Sequence, residues 1–329
     1  MTLAVAAALL IGSIGVASAQ VIEVDPNLPA YTKVDETIRG NLSSVGSDTM
    51  NNLMTLWAEG FRKHYPGVRV QVEGKGSSTA PPALIEATAQ FGPMSRQMKA
   101  KEIDAFEEKY GFKPTHLRTS LDALAVFVHK DNPVASMTLE QVDAVFSKTR
   151  KRGFAEDVVT WGQMGLEGGW ARRPISLYGR NSASGTYGFF KKVALKKGDY
   201  KDTVKEQPGS ASVVQGITED LYGIGYSGIG YRTSGVRIVP IAPDADSDPV
   251  AGTYENVASG KYPLGRHLNL YIVHQPGTDL DPLVREFVRF IFSKEGQEIV
   301  VKDGYFPLTA KSCAEELANI GVEMKLSRK

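Results

Sequence analysis

Short apolar runs of strand length alternate along this chain with amphipathic helical faces, and that alternation restricts the fold more than any other feature. Val68, Val70 and Val72 alternate with Arg69 and Gln71, the period of a half-buried strand. Residues 123–129, 175–178, 236–241 and 268–273 are further apolar runs of strand length. Between such runs, Leu53, Met54, Trp57 and Phe61 share one helical face, and Val284, Phe287, Val288 and Ile291 share another. The punctuation agrees with these assignments. Thr138 and Gln141 form a capping-box pattern ahead of Val142, Val145 and Phe146. Asp281-Pro282 pairs an N-cap residue with proline at the first helical position, and Gly111 ends a charged helix over 102–110. Strands alternating with helices predict an α/β chain with mainly parallel sheets. The 329 residues are enough for about two domains, and a hydrophobic content of 42% supports a sizeable core in each.

The first 19 residues have the pattern of an export signal. An apolar run over 3–16 precedes Ala17-Ser18-Ala19, a small-x-small cleavage site, although no Lys or Arg stands before the run. The run is too short to span a bilayer, so the mature chain is expected to be soluble, and periplasmic or secreted. Residues 20–40 are polar, carry two prolines and read as a tether. Cys313 is the single cysteine, which excludes an internal disulfide and a cysteine-ligated metal. The formal net charge of +1 argues against a nucleic-acid partner held by bulk charge. Any bound anion has to be held by local geometry.

Three segments repeat one design, in which Ser, Gly and Thr precede a helix. They are Gly46-Ser47-Asp48-Thr49, Gly76-Ser77-Ser78-Thr79, and Arg180-Asn181-Ser182-Ala183-Ser184-Gly185-Thr186. A helix start leaves backbone N–H groups without partners and carries the positive end of the helix dipole. An anion placed there gains from both. Any one such segment reads first as an ordinary cap. Three of them, one with an arginine fork just upstream, point to an oxyanion site. Arg96, in Pro93-Met94-Ser95-Arg96, is a weaker candidate on the same grounds, with solvated surface as its competing reading.

Patterns for catalysis are weak. The histidines (His64, His116, His129, His267 and His274) form no His-x-x-x-His pair, and there is neither a Gly-x-Ser-x-Gly elbow nor a Walker A loop. Gly223-x-Gly225-x-x-Gly228 matches the dinucleotide pattern but sits in an aromatic, strand-like stretch with no following helix, so tight strand packing is the better reading. No enzymatic function, cofactor or metal is expected.

The same segments carry a family resemblance. The chain resembles the periplasmic phosphate-binding proteins of the bacterial phosphate ABC importer, in the branch that also resembles the DING proteins. The markers are Ser44-Val45-Gly46-Ser47-Asp48-Thr49-Met50, residues 76–84, Phe91-Gly92-Pro93-Met94-Ser95-Arg96, residues 179–186 and Gly223-Ile224-Gly225-Tyr226. The resemblance runs from about residue 41 to about residue 309. It implies a type II two-lobed clamp that binds inorganic phosphate in the interlobe cleft and delivers it to the importer's membrane subunits. It implies phosphate contacts at Ser47, Asp48, Thr49, Ser77, Arg180, Ser184, Gly185 and Thr186, with Ser78, Ser95 and Arg96 as further candidates. Lobe I is expected over 41–125 with 265–329, and lobe II over 126–264. A monomer is expected.

Many family members place an aspartate after the Phe-Gly pair to accept the proton of bound phosphate. Ser95 stands there in this chain, and Ser182 stands at a second acidic position of the family. That leaves Asp48 as the expected acceptor. A different tetrahedral oxyanion, sulfate or molybdate, is the alternative ligand, and a phosphate-ester hydrolase is a more distant one.

Overall fold

The computed structural model describes residues 22–324, so the segment read as an export signal lies outside the described residues. The first part of the chain builds β1 (Gly40–Val45), α1 (Asn51–His64), β2 (Val68–Glu73), α2 (Ala80–Ile85), β3 (Phe91–Met94) and α3 (Ala100–Tyr110). Next come β4 (Thr115–His129), β5 (Met137–Thr138), α4 (Leu139–Phe146), β6 (Ser176–Arg180), α5 (Gly185–Val193), β7 (Lys205–Gln207), α6 (Ser210–Glu219), β8 (Gly223–Gly228), β9 (Val236–Ile238), β10 (Ile241–Ala242) and α7 (Tyr254–Ala258). The chain closes with β11 (Gly265–Ile272), α8 (Pro282–Ile291), α9 (Lys294–Lys302) and α10 (Ala310–Ala318).

The main sheet runs β2-β1-β3-β11-β4-β8-β6-β7, with β9 also paired to β4. Its flanks are parallel: β1 pairs β2 and β3, and β6 pairs β7 and β8. Its centre is antiparallel, because β4 runs against β11, β8 and β9. The fold is thus the α/β architecture expected from the alternation of strands and helices, in the two-lobed form that the resemblance implies. The two halves share β4. Its first part, Thr115 to Ala123, lies along β11, and its second, Leu124 to Val128, lies along β8. The halves therefore join where β4 changes partner, between Ala123 and Leu124, beside the start of β11 at Gly265.

Each half has its own core. In the first, Trp57, Phe61, Phe91, Phe287 and Phe290 are buried together, and the Trp57 indole N–H donates to the Gly296 carbonyl at 2.8 Å. In the second, Phe146, Trp161, Phe190 and Tyr226 form the core, with the Phe190 and Tyr226 rings stacked at 4.0 Å. The Gly223–Gly228 segment is strand β8, as its aromatic context suggested. A Cβ on Gly225 would stand 2.6 Å from the Tyr178 carbonyl oxygen, so the glycine serves close strand packing.

The described part of the segment read as a tether, residues 22–40, is packed, mostly against the first half. Leu28, Tyr31 and Ile38 are buried in its core. The Tyr31 hydroxyl donates to Glu286 at 2.9 Å, and the Tyr31 N–H donates to Glu295 at 2.6 Å. The Asp25 carboxylate accepts from the Ala310 N–H at 2.9 Å. Few of these residues recur at a fixed period, so they show no sequence signal of a packed element. Tyr31→Ala would open a cavity beside Phe61 and Phe290 and remove a donor from the buried Glu286 carboxylate. The expected cost is about 3 kcal/mol in urea unfolding, whereas a free tether would give no change.

Candidate functional site

The three Ser/Gly/Thr segments meet where the halves face each other. The first leaves β1 and enters a short 3-10 turn, Asp48–Met50, ahead of α1. The second enters a like turn, Ser77–Thr79, ahead of α2. The third leaves β6 at Arg180 and starts α5 at Gly185. Ser184 is an ordinary cap there, its hydroxyl accepting from the Tyr187 N–H at 3.3 Å. Ser47 makes no cap bond. Its hydroxyl is buried and has no partner. The Ser77 hydroxyl accepts the Ser95 N–H at 3.0 Å and lies 3.3 Å from the Ser95 hydroxyl.

Hydroxyls from both halves close onto one spot. The Thr49 and Thr186 hydroxyls are 2.8 Å apart, and the Thr186 hydroxyl reaches Ser95 at 3.4 Å. The Ser78 N–H donates across the cleft to the Ala183 carbonyl at 3.1 Å. Ser47, Thr49, Ser77, Ser95, Ser184 and Thr186 are all buried. Gly185 is required by this approach, since a Cβ there would stand 2.2 Å from the Ser77 hydroxyl oxygen and 2.7 Å from that of Ser95. This concentration of buried small donors, outside any sheet or core, is the chemistry of an oxyanion cradle.

Arg180 is buried and held in place by the protein. Its Nη1 donates to the Ser210 hydroxyl at 2.6 Å and lies 3.0 Å from an Asp48 carboxylate oxygen, while Nη2 reaches the Pro208 carbonyl at 3.2 Å. Only Nε lacks a partner. Burial pulls the guanidinium below its usual range, and the Asp48 carboxylate works against that pull. Asp48 in turn accepts the Ser210 N–H at 2.8 Å, so it caps the start of α6 from across the cleft. Both contacts fall on one Asp48 oxygen, so the acceptor role expected of Asp48 would rest on its other oxygen. Arg96, whose competing reading was solvated surface, is also buried. Its guanidinium grips Glu102 at 2.7 and 2.8 Å and touches Ser78 at 3.4 Å. Burial raises Glu102, but its bonds from Arg96 and the Lys99 N–H prevail and hold the carboxyl below its ordinary value.

Two charged residues that sequence reasoning missed complete the cluster. Asp122 and Arg266 are directly opposed across β4 and β11, at the point where the halves join. Both are buried. The Arg266 Nε donates to an Asp122 oxygen at 2.8 Å, Nη2 lies 2.7 Å from the same oxygen, and the other Asp122 oxygen accepts the Ile229 N–H at 3.0 Å. Arg266 then reaches into the hydroxyl cluster: Nη2 donates to Thr186 at 3.0 Å and Nη1 to the Ser95 carbonyl at 2.8 Å. The available signal was a lone acidic residue in the apolar strand 121–128, where an unpaired carboxylate would be costly. Among the described residues, no group of three or more His, Cys, Asp or Glu side chains could hold a metal ion.

A two-lobed α/β fold whose helix starts converge from both lobes on one buried cluster of donors defines a solute-binding clamp. A PBP superfamily domain profile matches residues 32–295. The phosphate-binding protein PstS of Pseudomonas aeruginosa is 53% identical over 309 residues, covering 94% of this chain and 95% of the relative. PstS of Bacillus subtilis is 27% identical, covering 84% of each. Among solved structures, a Clostridium perfringens substrate-binding protein with bound phosphate superposes with a TM-score of 0.69 at 24% identity, over 82% of this chain and all (100%) of that one. A phosphate transport receptor of Vibrio cholerae gives 0.62 at 21% identity, over 81% of this chain and 100% of that one. The chain belongs to the PBP superfamily and, within it, to the family of PstS phosphate-binding proteins.

Proposed function

We propose that the protein captures inorganic phosphate between its lobes outside the cytoplasm and hands it to the membrane subunits of an ABC importer, without catalysing a reaction. The observation that carries this reading is the buried hydroxyl cluster formed by Thr49, Ser77, Ser95 and Thr186 from both lobes. Membership of the PstS family supports the choice of anion. Among the described residues, no helix is long and apolar enough to cross a membrane, which is consistent with a protein that works beside the importer.

In this reading the anion exchanges hydroxyl–hydroxyl bonds for bonds to its own oxygens. Thr49 and Ser77 donate from one lobe, and Gly185 and Thr186 donate from the other. Ser47 and Arg180 Nε, both without partners, gain one. Ser184 fixes the start of α5, Ser78 and Arg96 line the edge, and Asp48 anchors Arg180. Only the closed form makes all of these contacts at once, so binding shifts the lobes toward closure.

Calorimetric titration with phosphate, sulfate and molybdate, paired with small-angle scattering, tests the proposal. Phosphate should bind with about micromolar affinity or better and reduce the radius of gyration. A phosphate-ester assay should show no turnover. Preference for sulfate or molybdate over phosphate would overturn the assignment.

A further inference from the structure

A groove of about 650 Å³ lies against the anion cluster and is lined from both lobes. The first lobe contributes Arg96 and Lys99, from the turn before α3, and Arg266 and His267, from β11; the second contributes Lys192, from α5, and Lys197, from the turn after it. Its walls are continuous with the cluster. Arg266 donates to Thr186, Arg96 touches Ser78, and the groove residue Gly188 lies one turn beyond Gly185 on α5.

The charge of the groove is one-sided. No Asp or Glu lines it. The two arginines spend their charge on Glu102 and Asp122, which stand behind them. Among the described residues, Lys99, Lys192 and Lys197 have no ion-pair partner. The opposite side of α5 is built differently. There Lys191 pairs with Asp199 at 3.0 Å and Lys148 with Asp202 at 3.0 Å, and a second groove contains both signs of charge. Lys197 also follows Lys196 in the left-handed region, at φ 60° and 48°, a conformation that lysine adopts at a cost.

We propose that this groove is an electrostatic entrance that draws the phosphate dianion to the mouth of the cleft and so sets the rate of capture. The proposal rests on the phosphate-binding reading. With a formal net charge of only +1, the molecule as a whole supplies almost no attraction. A local surplus of lysines between low-dielectric walls supplies it where the lobes part. The lysines do not contact the closed cluster, so they act on association and not on release.

The test is stopped-flow phosphate binding by the full chain carrying Lys99→Gln, Lys192→Gln and Lys197→Gln, at low and high salt. At low ionic strength the association rate should fall about 10-fold, with the difference shrinking above about 0.5 M salt and the dissociation rate unchanged. A control pair, Lys191→Gln with Asp199→Asn, removes an ion pair of no net charge from the other side of α5 and should leave association within about two-fold of the parent. An unchanged association rate in the triple variant, an equal fall in the control pair, or an effect confined to dissociation would each overturn the entrance while leaving phosphate binding intact. Failure of the parent protein to bind phosphate would instead overturn the underlying reading.

Discussion

Replacing Asp122 with Asn should collapse discrimination between phosphate and sulfate by about 100-fold, and should do so more than Asp48→Asn does. At neutral pH phosphate keeps at least one proton and sulfate keeps none. A buried carboxylate beside the anion accepts that proton as a hydrogen bond from phosphate and repels sulfate. Asp122 fits this role better than Asp48 for a geometric reason. It sits at the joint of the two lobes with no exposure, bound to the arginine that donates to Thr186. The protein fills three of its acceptor positions, two from Arg266 and one from Ile229, and a carboxylate offers about four. Asp48 is more exposed and holds Arg180 and the start of α6. Its loss should weaken both anions together through poorer closure. Asp122→Asn should tighten sulfate, weaken phosphate and, without ligand, cost about 3 kcal/mol of stability, since Arg266 is left buried without a counter-charge. Calorimetry with each anion and denaturant unfolding read these effects separately. Selectivity kept within about three-fold would rule Asp122 out as the acceptor.

The sequence made most strands and helices, and the Ser/Gly/Thr helix starts, legible because both follow local rules. Strand and helix periods mark β2, β4, α1 and α8, and capping residues mark the helix starts that carry Ser47, Ser77 and Gly185. What stayed hidden depends on pairing across distance. Asp122 and Arg266 are 144 residues apart, and nothing local to either shows that β4 and β11 set them opposite each other. Ser210 was hidden for the same reason: its N–H faces Asp48 from a helix start 162 residues away. The packed segment around Tyr31 was misread because its burial comes from single aromatic and apolar anchors and not from a repeat. Arg180 was found by its place ahead of Ser184, yet its main bonds run to Ser210, Pro208 and Asp48. Residue type at a helix start thus announces a candidate anion site, while tertiary pairing decides which charges border it.

Gly185→Ala should reduce phosphate affinity by about 100-fold or more while leaving the unliganded protein as stable as its parent. The added methyl would stand 2.2 Å from the Ser77 hydroxyl oxygen and 2.7 Å from that of Ser95, both on the other lobe. Neither oxygen can retreat cheaply, because Ser77 accepts the Ser95 N–H at 3.0 Å and both residues are buried. The clash is therefore relieved by parting the lobes. Separation also pulls Thr186 from Thr49, now 2.8 Å apart, and from Ser95, so the anion loses donors that act only in the closed state. Once the lobes part, the methyl should clear both hydroxyls, and alanine favours the helix over glycine by up to about 1 kcal/mol. Unfolding without ligand should accordingly show no loss. Scattering at saturating phosphate should keep the larger radius of gyration. Gly188→Ala, one turn further along α5, is the matched control: its Cβ would meet Arg96 at 3.4 Å, an ordinary contact, and phosphate affinity should stay within about two-fold. Normal affinity and full compaction in Gly185→Ala would mean that Ser77 and Gly185 need not approach each other for phosphate to be held, and closure onto the start of α5 would then lose its place in the mechanism.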